Sequence, residues 1–335
     1  MVNTNFLKGE AALGVEKWNY FVKNSQHCTP FQTPEFFKIF NSIPGFTAEV
    51  FAVVKNDEIK SLCVVTFQKE KGIKGFFSRR AIIYGGPVFS EGSNQEATIL
   101  LSRINQYLKG KVIYSEIRNL NDYTAFHPVF NGMGWKLEPH LNFLFNCNHE
   151  SDIWGKFNNN RKRQINKAIK SGATIKIADK ESEIISFYEI LRNLYNTKIK
   201  KPLMPLDFFL NFFKSPSCKF LLVVFEEKVI GGIMCPIIEG KFIYEWYICG
   251  LDDAYKDLSP SVMATFAAID YGKKHSYQMF DFMGAGKPNE DYGVRDFKSK
   301  FGGELVNHGR YLIILNKPLY KLGISALNVL KKLKK

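Results

Sequence analysis

One order of secondary-structure signals runs through this 335-residue chain twice, so its fold must hold the same elements twice. Pro34 to Phe40 reads as an amphipathic helix, and so does Pro205 to Phe213. Each precedes a hairpin signal of β-branched and aromatic runs around a polar turn. The first is Val50 to Val54, a turn at Lys55 to Glu58, and Ile59 to Gln68. The second is Phe220 to Phe225, a turn at Glu226 to Lys228, and Val229 to Ile238. A third strand follows in each half, Ala81 to Tyr84 and Phe242 to Cys249. Then come a helix (Asn94 to Leu108; Ser261 to Lys274) and a short strand (Val112 to Ile117; Gln278 to Phe282). Each half closes on a strand after glycine, Gly134 to Phe145 and Gly302 to Leu315. Antiparallel meanders entering a β-α-β unit predict an α/β chain with mixed sheets and helices on their faces. The pattern predicts one lobe at 1–150, a second at 151–316, and a basic amphipathic helix at 317–335.

Composition narrows the partners. Hydrophobic residues make up 45% of the chain, enough to bury cores. The net charge of +14 favours an anionic partner. The six cysteines form no CxxC pair and sit mostly in strand-like runs, as reduced core residues do in the cytoplasm. Lys8, Glu10, Glu16 and Lys17 interrupt the N-terminus, so no signal peptide is expected, and no uncharged run reaches the ~18–20 residues of a membrane span. The expected location is therefore the cytoplasm. No GxSxG, HExxH or P-loop occurs and the histidines are scattered, so neither a metal site nor a tightly bound cofactor is expected.

Several residues carry candidate chemistry. Seven basic residues and no acid lie between Gly155 and Ala178. At helical spacing Arg163, Lys167 and Lys170 share one face, with Ile165, Ala168 and Ile169 opposite, and Arg161 begins the run. Such a stripe suits phosphate binding; a solvated face is the alternative. Ser259-Pro260 reads as an N-cap and first turn, so Ser259 and Ser261 open a helix N-terminus that can receive an anion. Glu245 lies mid-strand among aromatics beside Tyr247, where burial raises a carboxyl pKa towards that of a base; a structural hydrogen bond is the alternative. Asp281 ends the following strand and either orients a nucleophile or caps a loop. In the tail, Leu319, Leu322, Leu327 and Leu330 alternate with Lys321, Lys331, Lys332, Lys334 and Lys335. That helix either lies on an anionic membrane face or packs on the first lobe.

Four segments in order resemble the FemAB-like family of GNAT-fold acyltransferases, which includes tRNA-dependent aminoacyl transferases of peptidoglycan bridge synthesis. They are Phe31-Gln32-Thr33-Pro34-Glu35-Phe36; Arg161-Lys162-Arg163-Gln164-Ile165-Asn166-Lys167-Ala168 with Gly172; Tyr277 to Gly284; and Gly293-Val294-Arg295-Asp296-Phe297-Lys298-Ser299-Lys300-Phe301-Gly302. The resemblance implies tandem GNAT lobes and an acyltransferase acting on a cell-envelope precursor, a phosphorylated, nucleotide-linked or lipid-linked partner. It implies that Lys298 stabilises the tetrahedral intermediate, with Arg295 and Lys300 as alternatives. One active site is expected, in the second lobe, with the first walling an acceptor cleft through Lys38. The donor stays open between aminoacyl-tRNA and acyl-CoA. The GNAT pyrophosphate loop is glycine-rich, whereas Ala254 to Pro260 holds no glycine. Two other readings stay open: an acyl-CoA-dependent N-acetyltransferase of a nucleotide- or lipid-linked sugar, and a non-catalytic nucleic-acid or membrane-surface binder.

Overall fold

The computed structural model describes residues 4–69, 75, 78–148 and 150–333, with side chains as far as Ser325. The chain forms two compact units, Met1–Pro139 with His308–Lys335, and His140–Asn307. Its early strands are β1 (Thr4–Lys8), β2 (Thr47–Lys55), β3 (Glu58–Gln68), β4 (Arg80–Gly85), β5 (Val88–Phe89), β6 (Tyr114–Asn119) and β7 (Lys136–Glu138). The second unit adds β8 (Asn142–Asn146), β9 (Thr174–Ile177), β10 (Cys218–Phe225), β11 (Lys228–Ile238), β12 (Phe242–Tyr244), β13 (Tyr247–Gly250), β14 (Met279–Asp281) and β15 (Glu304–Val306). The last strand is β16 (Arg310–Ile314). Two eight-stranded mixed sheets result. The first runs β1-β2-β3-β4-β6-β16-β7 with β5 on β3; the second runs β15-β8-β14-β12-β11-β10-β9 with β13 on β11.

The duplicated core follows the sequence closely. Both hairpins turn in two residues with left-handed backbone, Asn56 and Asp57 (φ 51° and 65°) and Glu226 and Glu227 (φ 47° and 63°). That geometry matches the strand twist, and it shortens the turns expected from the polar runs. Helix Asn94–Leu108 buries Ala97, Leu100, Leu101, Ile104 and Leu108 in a core with Phe51, Val53, Ile83 and Ile117. In the second unit, helix Pro260–Lys274 is apolar nearly all round and sits in the core beside β11 and β13. Gln32, from the segment resembling the family's early motif, is structural. Its amide bridges β3 and β4, accepting from Val64 N (2.6 Å) and donating to Tyr84 O (2.8 Å).

The closing strands differ from expectation. Neither Gly134–Phe145 nor Gly302–Leu315 is one strand; each splits between the two sheets. Pro139, with no N–H for a ladder, separates β7 from β8, and Gly309 (φ +66°) turns the chain between β15 and β16. The units therefore divide at 139/140 and 307/308, where the sequence expectation was lobes of 1–150 and 151–316. Helix Lys317–Leu333 forms at the expected tail. Tyr320 packs edge-on against Tyr114 (5.5 Å), while Leu322 and Ile324 face solvent. The tail side chains Leu327, Leu330, Lys331 and Lys332, and residues Lys334 and Lys335, lie outside what the structure describes. Among the described residues no helix is long and apolar enough to cross a membrane.

Candidate active site

The second sheet is splayed at one place. β12 pairs in parallel with β14 as far as Tyr244 opposite Asp281, whereas β13 pairs with β11. Glu245 and Trp246 form the break between β12 and β13. Glu245 N donates to Asp281 O (2.9 Å) and Trp246 N to Met234 O (3.1 Å), so the break leaves few backbone groups unpaired. A bulge of this kind re-aims a side chain, and here it turns Glu245 inward to 5% exposure.

Glu245 meets Lys298, on helix Gly293–Ser299. Oε1 lies 2.9 Å from Nζ, and the side chains are 3% and 9% exposed. Lys298 also donates to Phe282 O and to Gly284 O (2.9 Å), so all three of its N–H groups are committed. Glu245 Oε2 is buried and makes no hydrogen bond among the described residues. The nearby Thr265 hydroxyl gives its own hydrogen bond to Ser261 O (3.3 Å). Burial drives the Glu245 carboxyl above the usual carboxylate range, against the pull of Lys298 and Thr265.

Asp281 continues the constellation. Its Oδ1 accepts from Asn142 Nδ2 (2.7 Å) and Met283 N (2.6 Å). Burial pushes its carboxyl up to about 6, opposed by Asn142, Met283 and Lys298 and reinforced by Glu245. Asn142 Oδ1 in turn accepts from Gly284 N (2.7 Å). Arg295 pins the same loop through Ala285 O (2.8 Å), Pro288 O (3.3 Å) and Lys287 O, while Lys300 pairs with Asp296 (2.6 Å). Of these three cations Lys298 is the one paired, among the described residues, with a buried carboxylate, that of Glu245. Tyr247 stands on the far side of the break, ringed by Phe209 (5.1 Å) and Trp246 (5.5 Å). The structure brings together Glu245, Lys298 and Asp281, which the sequence singled out separately. Asn142 was not singled out, because its strand carried no sign that it joins the second sheet.

Other candidates occupy different roles. Ser259 holds the N-cap position as expected, but its backbone is left-handed (φ 44°) and its hydroxyl bonds back to Lys256 O (3.3 Å) rather than capping the helix. At the helix start, Asp252 instead accepts from Ser261 N (3.0 Å) and from the Ser261 hydroxyl. The space there is tight: a Cβ on Gly250 would lie 2.6 Å from Ser261 N. Asp252 was missed; its only signal is an acid shortly before a helix. Arg161 is 6% exposed and serves the interior. It bonds Gln164 Oε1 (2.7 Å) and Phe297 O (3.1 Å), with its guanidinium over the Phe297 and Phe301 rings at 4.4 and 4.9 Å. Arg163 and Lys170 are exposed, and Lys167 pairs with Asp257 (2.6 Å). Ile169, expected on the buried face of this helix, is 48% exposed; the buried face is made by Arg161, Ile165 and Ala168. Lys38, in the first unit, pairs with Glu10 (3.0 Å).

A mixed sheet splayed beside a core helix is the arrangement of a GNAT fold. Residues 155–299 match the family model described as acetyltransferase (GNAT) domain. FemX has the same fold over 94% of this chain and 99% of its own, at 15% identity and a TM-score of 0.72. L-PGS from Bacillus licheniformis is similar over 94% and 97% (14% identity, TM-score 0.60). A tandem GNAT protein of the clavulanic acid biosynthesis pathway is similar over 93% and 99% (7% identity, TM-score 0.59). No curated protein matches the chain by sequence. The chain thus folds as two GNAT lobes in tandem, as FemX does, and the match to the acetyltransferase (GNAT) domain lies in its second lobe.

Proposed function

We propose that this protein transfers an aminoacyl or acyl group to an amine of a cell-envelope precursor, with Glu245 as the base. The unpartnered Glu245 Oε2 carries this reading. A buried acceptor without a partner costs roughly 1–3 kcal/mol, and an incoming amine N–H relieves that cost. The carboxylate's twin oxygen is held by Lys298, which fixes its direction. The raised pKa suits it to take the proton as nitrogen attacks the acyl carbon. The C–N bond forms, the ester bond breaks, and the proton passes to the leaving oxygen. Lys298 supplies the positive charge beside the developing oxyanion; contact with it means exchanging the Phe282 or Gly284 carbonyl for the substrate oxygen.

The donor we favour is aminoacyl-tRNA. Asp252 places a carboxylate on the helix N-terminus that a coenzyme A pyrophosphate would otherwise use, and like charges repel there. The exposed Arg163 and Lys170 remain for an RNA backbone. The reaction belongs in the cytoplasm or at the inner membrane face, where charged tRNA and lipid-linked precursors meet. The test is transfer of labelled amino acid from bulk charged tRNA to a nucleotide-linked peptidoglycan precursor, with and without RNase. RNase-sensitive transfer that Glu245→Gln abolishes supports the reading; transfer from acetyl-CoA alone refutes the donor.

One observation favours a second reading. The three committed protons of Lys298 leave the lysine fully satisfied within the fold, as in a structural pair of a non-catalytic binder. In that case Glu245→Gln, folded by its melt, leaves function intact, while charge reversal at Arg163 and Lys170 abolishes it.

A further inference from the structure

The first unit repeats the parallel strand pair of the second. β4 pairs with β6 in register Ile83–Ile117 and Tyr84–Arg118, as β12 pairs with β14 in register Ile243–Phe280 and Tyr244–Asp281. Aligning Tyr84 with Tyr244 sets Gly85 in place of Glu245 and Arg118 in place of Asp281. The duplicate has lost both carboxylates and gained a cation at the carboxyl end of the strand pair, where α/β folds receive ligands.

Arg118 is not alone. One face of β3, β4, β6 and β16 carries a continuous polar chain. Arg80 Nη2 donates to Gln68 Oε1 (3.2 Å), and Gln68 Nε2 donates to the Tyr84 hydroxyl (2.9 Å). The Arg118 guanidinium lies 5.4 Å over the Tyr84 ring. Glu116 Oε1 accepts from both Arg118 Nε (3.1 Å) and Arg310 Nη1 (2.8 Å). Although burial opposes it, Arg118 and Arg310 hold Glu116 below the usual carboxylate range, so it stays ionised. Glu138 stands opposite Arg310 and Lys136 opposite Leu312 in the β7–β16 pairing. Four cations thus face two carboxylates. The reverse face of the same strands packs Ala81, Ile83, Ile117 and Tyr311 into the core, so the cationic face is fixed to a rigid sheet.

Among the described residues Arg118 makes one hydrogen bond, through Nε. Its side chain is 37% accessible, and among the described residues neither terminal nitrogen has a hydrogen-bond acceptor. Tyr84 below and Glu116 beside it fix the guanidinium plane before any ligand arrives. A planar guanidinium held in place through Nε, with its two terminal nitrogens still to be matched, suits an oxyanion bidentately. We propose that Arg118, with Arg310 beside it, forms a seat for a carboxylate or phosphate group of a ligand in the first unit. This seat does not depend on the transfer reading, because it is a binding site with its own residues.

The experiment titrates inorganic phosphate and propionate separately into the full-length protein at low ionic strength, following the Arg118 Nε–H resonance and the binding heat. Saturable binding of either anion that shifts this resonance is expected, and the tighter of the two identifies the group. Arg118→Gln should weaken binding by roughly tenfold or more, as loss of a charge-assisted bond does. Lys109→Gln, which removes an exposed charge elsewhere, should leave it unchanged. If Arg118→Gln loses its fold, Arg118→Lys keeps the charge without the fork and should still bind more weakly than wild type. The proposal is overturned if neither anion saturates, if the resonance stays still, or if the folded Arg118 variants bind like wild type.

Discussion

Glu245 and Lys298 form an ion pair at 2.9 Å in which the lysine is saturated and the carboxylate is not. The asymmetry separates two costs. Removing the lysine leaves a buried carboxylate alone, whereas removing the glutamate's charge leaves an ammonium with two carbonyl partners. Lys298→Met should therefore destabilise the fold by about 3–5 kcal/mol, and Glu245→Gln by clearly less. The double variant should recover much of the loss. Urea unfolding of the set reads this directly; equal costs for the two single variants would contradict the asymmetry.

Asp281 gives a pH signature. Its carboxyl is raised in the fold to about 6 from its ordinary 3.8, so the native state binds its proton more tightly than the unfolded state does. Its contribution is therefore intact below the unfolded value and lost as pH rises through about 4 to 6, by roughly 3 kcal/mol in all. Asp281→Asn keeps the acceptor for Asn142 and Met283 and removes the titration. Wild type should lose stability relative to this variant as pH rises from 4 to 7, measured by denaturant melts at each pH. A constant difference would show that Asp281 titrates normally.

Asp252 should act as a gate on donor chemistry. With its carboxylate on Ser261 N, wild type should bind coenzyme A weakly. Asp252→Asn removes the charge and should raise affinity for coenzyme A several-fold, since a helix N-terminus and a phosphate attract by roughly 1 kcal/mol or more. Calorimetric titration of both proteins checks this, and tight binding by wild type would refute the gate.

Gly250 should tolerate nothing larger. A methyl there would meet Ser261 N at 2.6 Å, a backbone atom held by Asp252. Gly250→Ala should cost about 1–3 kcal/mol by forcing strand and helix apart. A thermal melt unchanged by the substitution would show that the helix start is not packed as described.

The sequence carried the repeated core because hairpins, amphipathic helices and turn residues are local signals. It carried Glu245 and Asp281 because a lone acid in an apolar strand is conspicuous, and Lys298 through its motif. The exchange of closing strands was hidden, since Asn142–Asn146 and Arg310–Ile314 read as ordinary strands and their sheet is chosen by distant partners. Asn142 and Asp252 were hidden for the same reason: their roles are hydrogen bonds to residues far along the chain or across a turn. Arg161 misled because a guanidinium among charges looks solvated, while its aromatic partners Phe297 and Phe301 lie well over a hundred positions away.

The central claim is tested most directly by single-turnover transfer from bulk tRNA charged with radiolabelled amino acids to a nucleotide-linked peptidoglycan precursor. Wild type should form an amide-linked, RNase-sensitive product, and Glu245→Gln, folded by its melt, should form it at least about a hundredfold more slowly, as loss of a general base does. Equal rates for wild type and Glu245→Gln would contradict the assignment of Glu245 as the base.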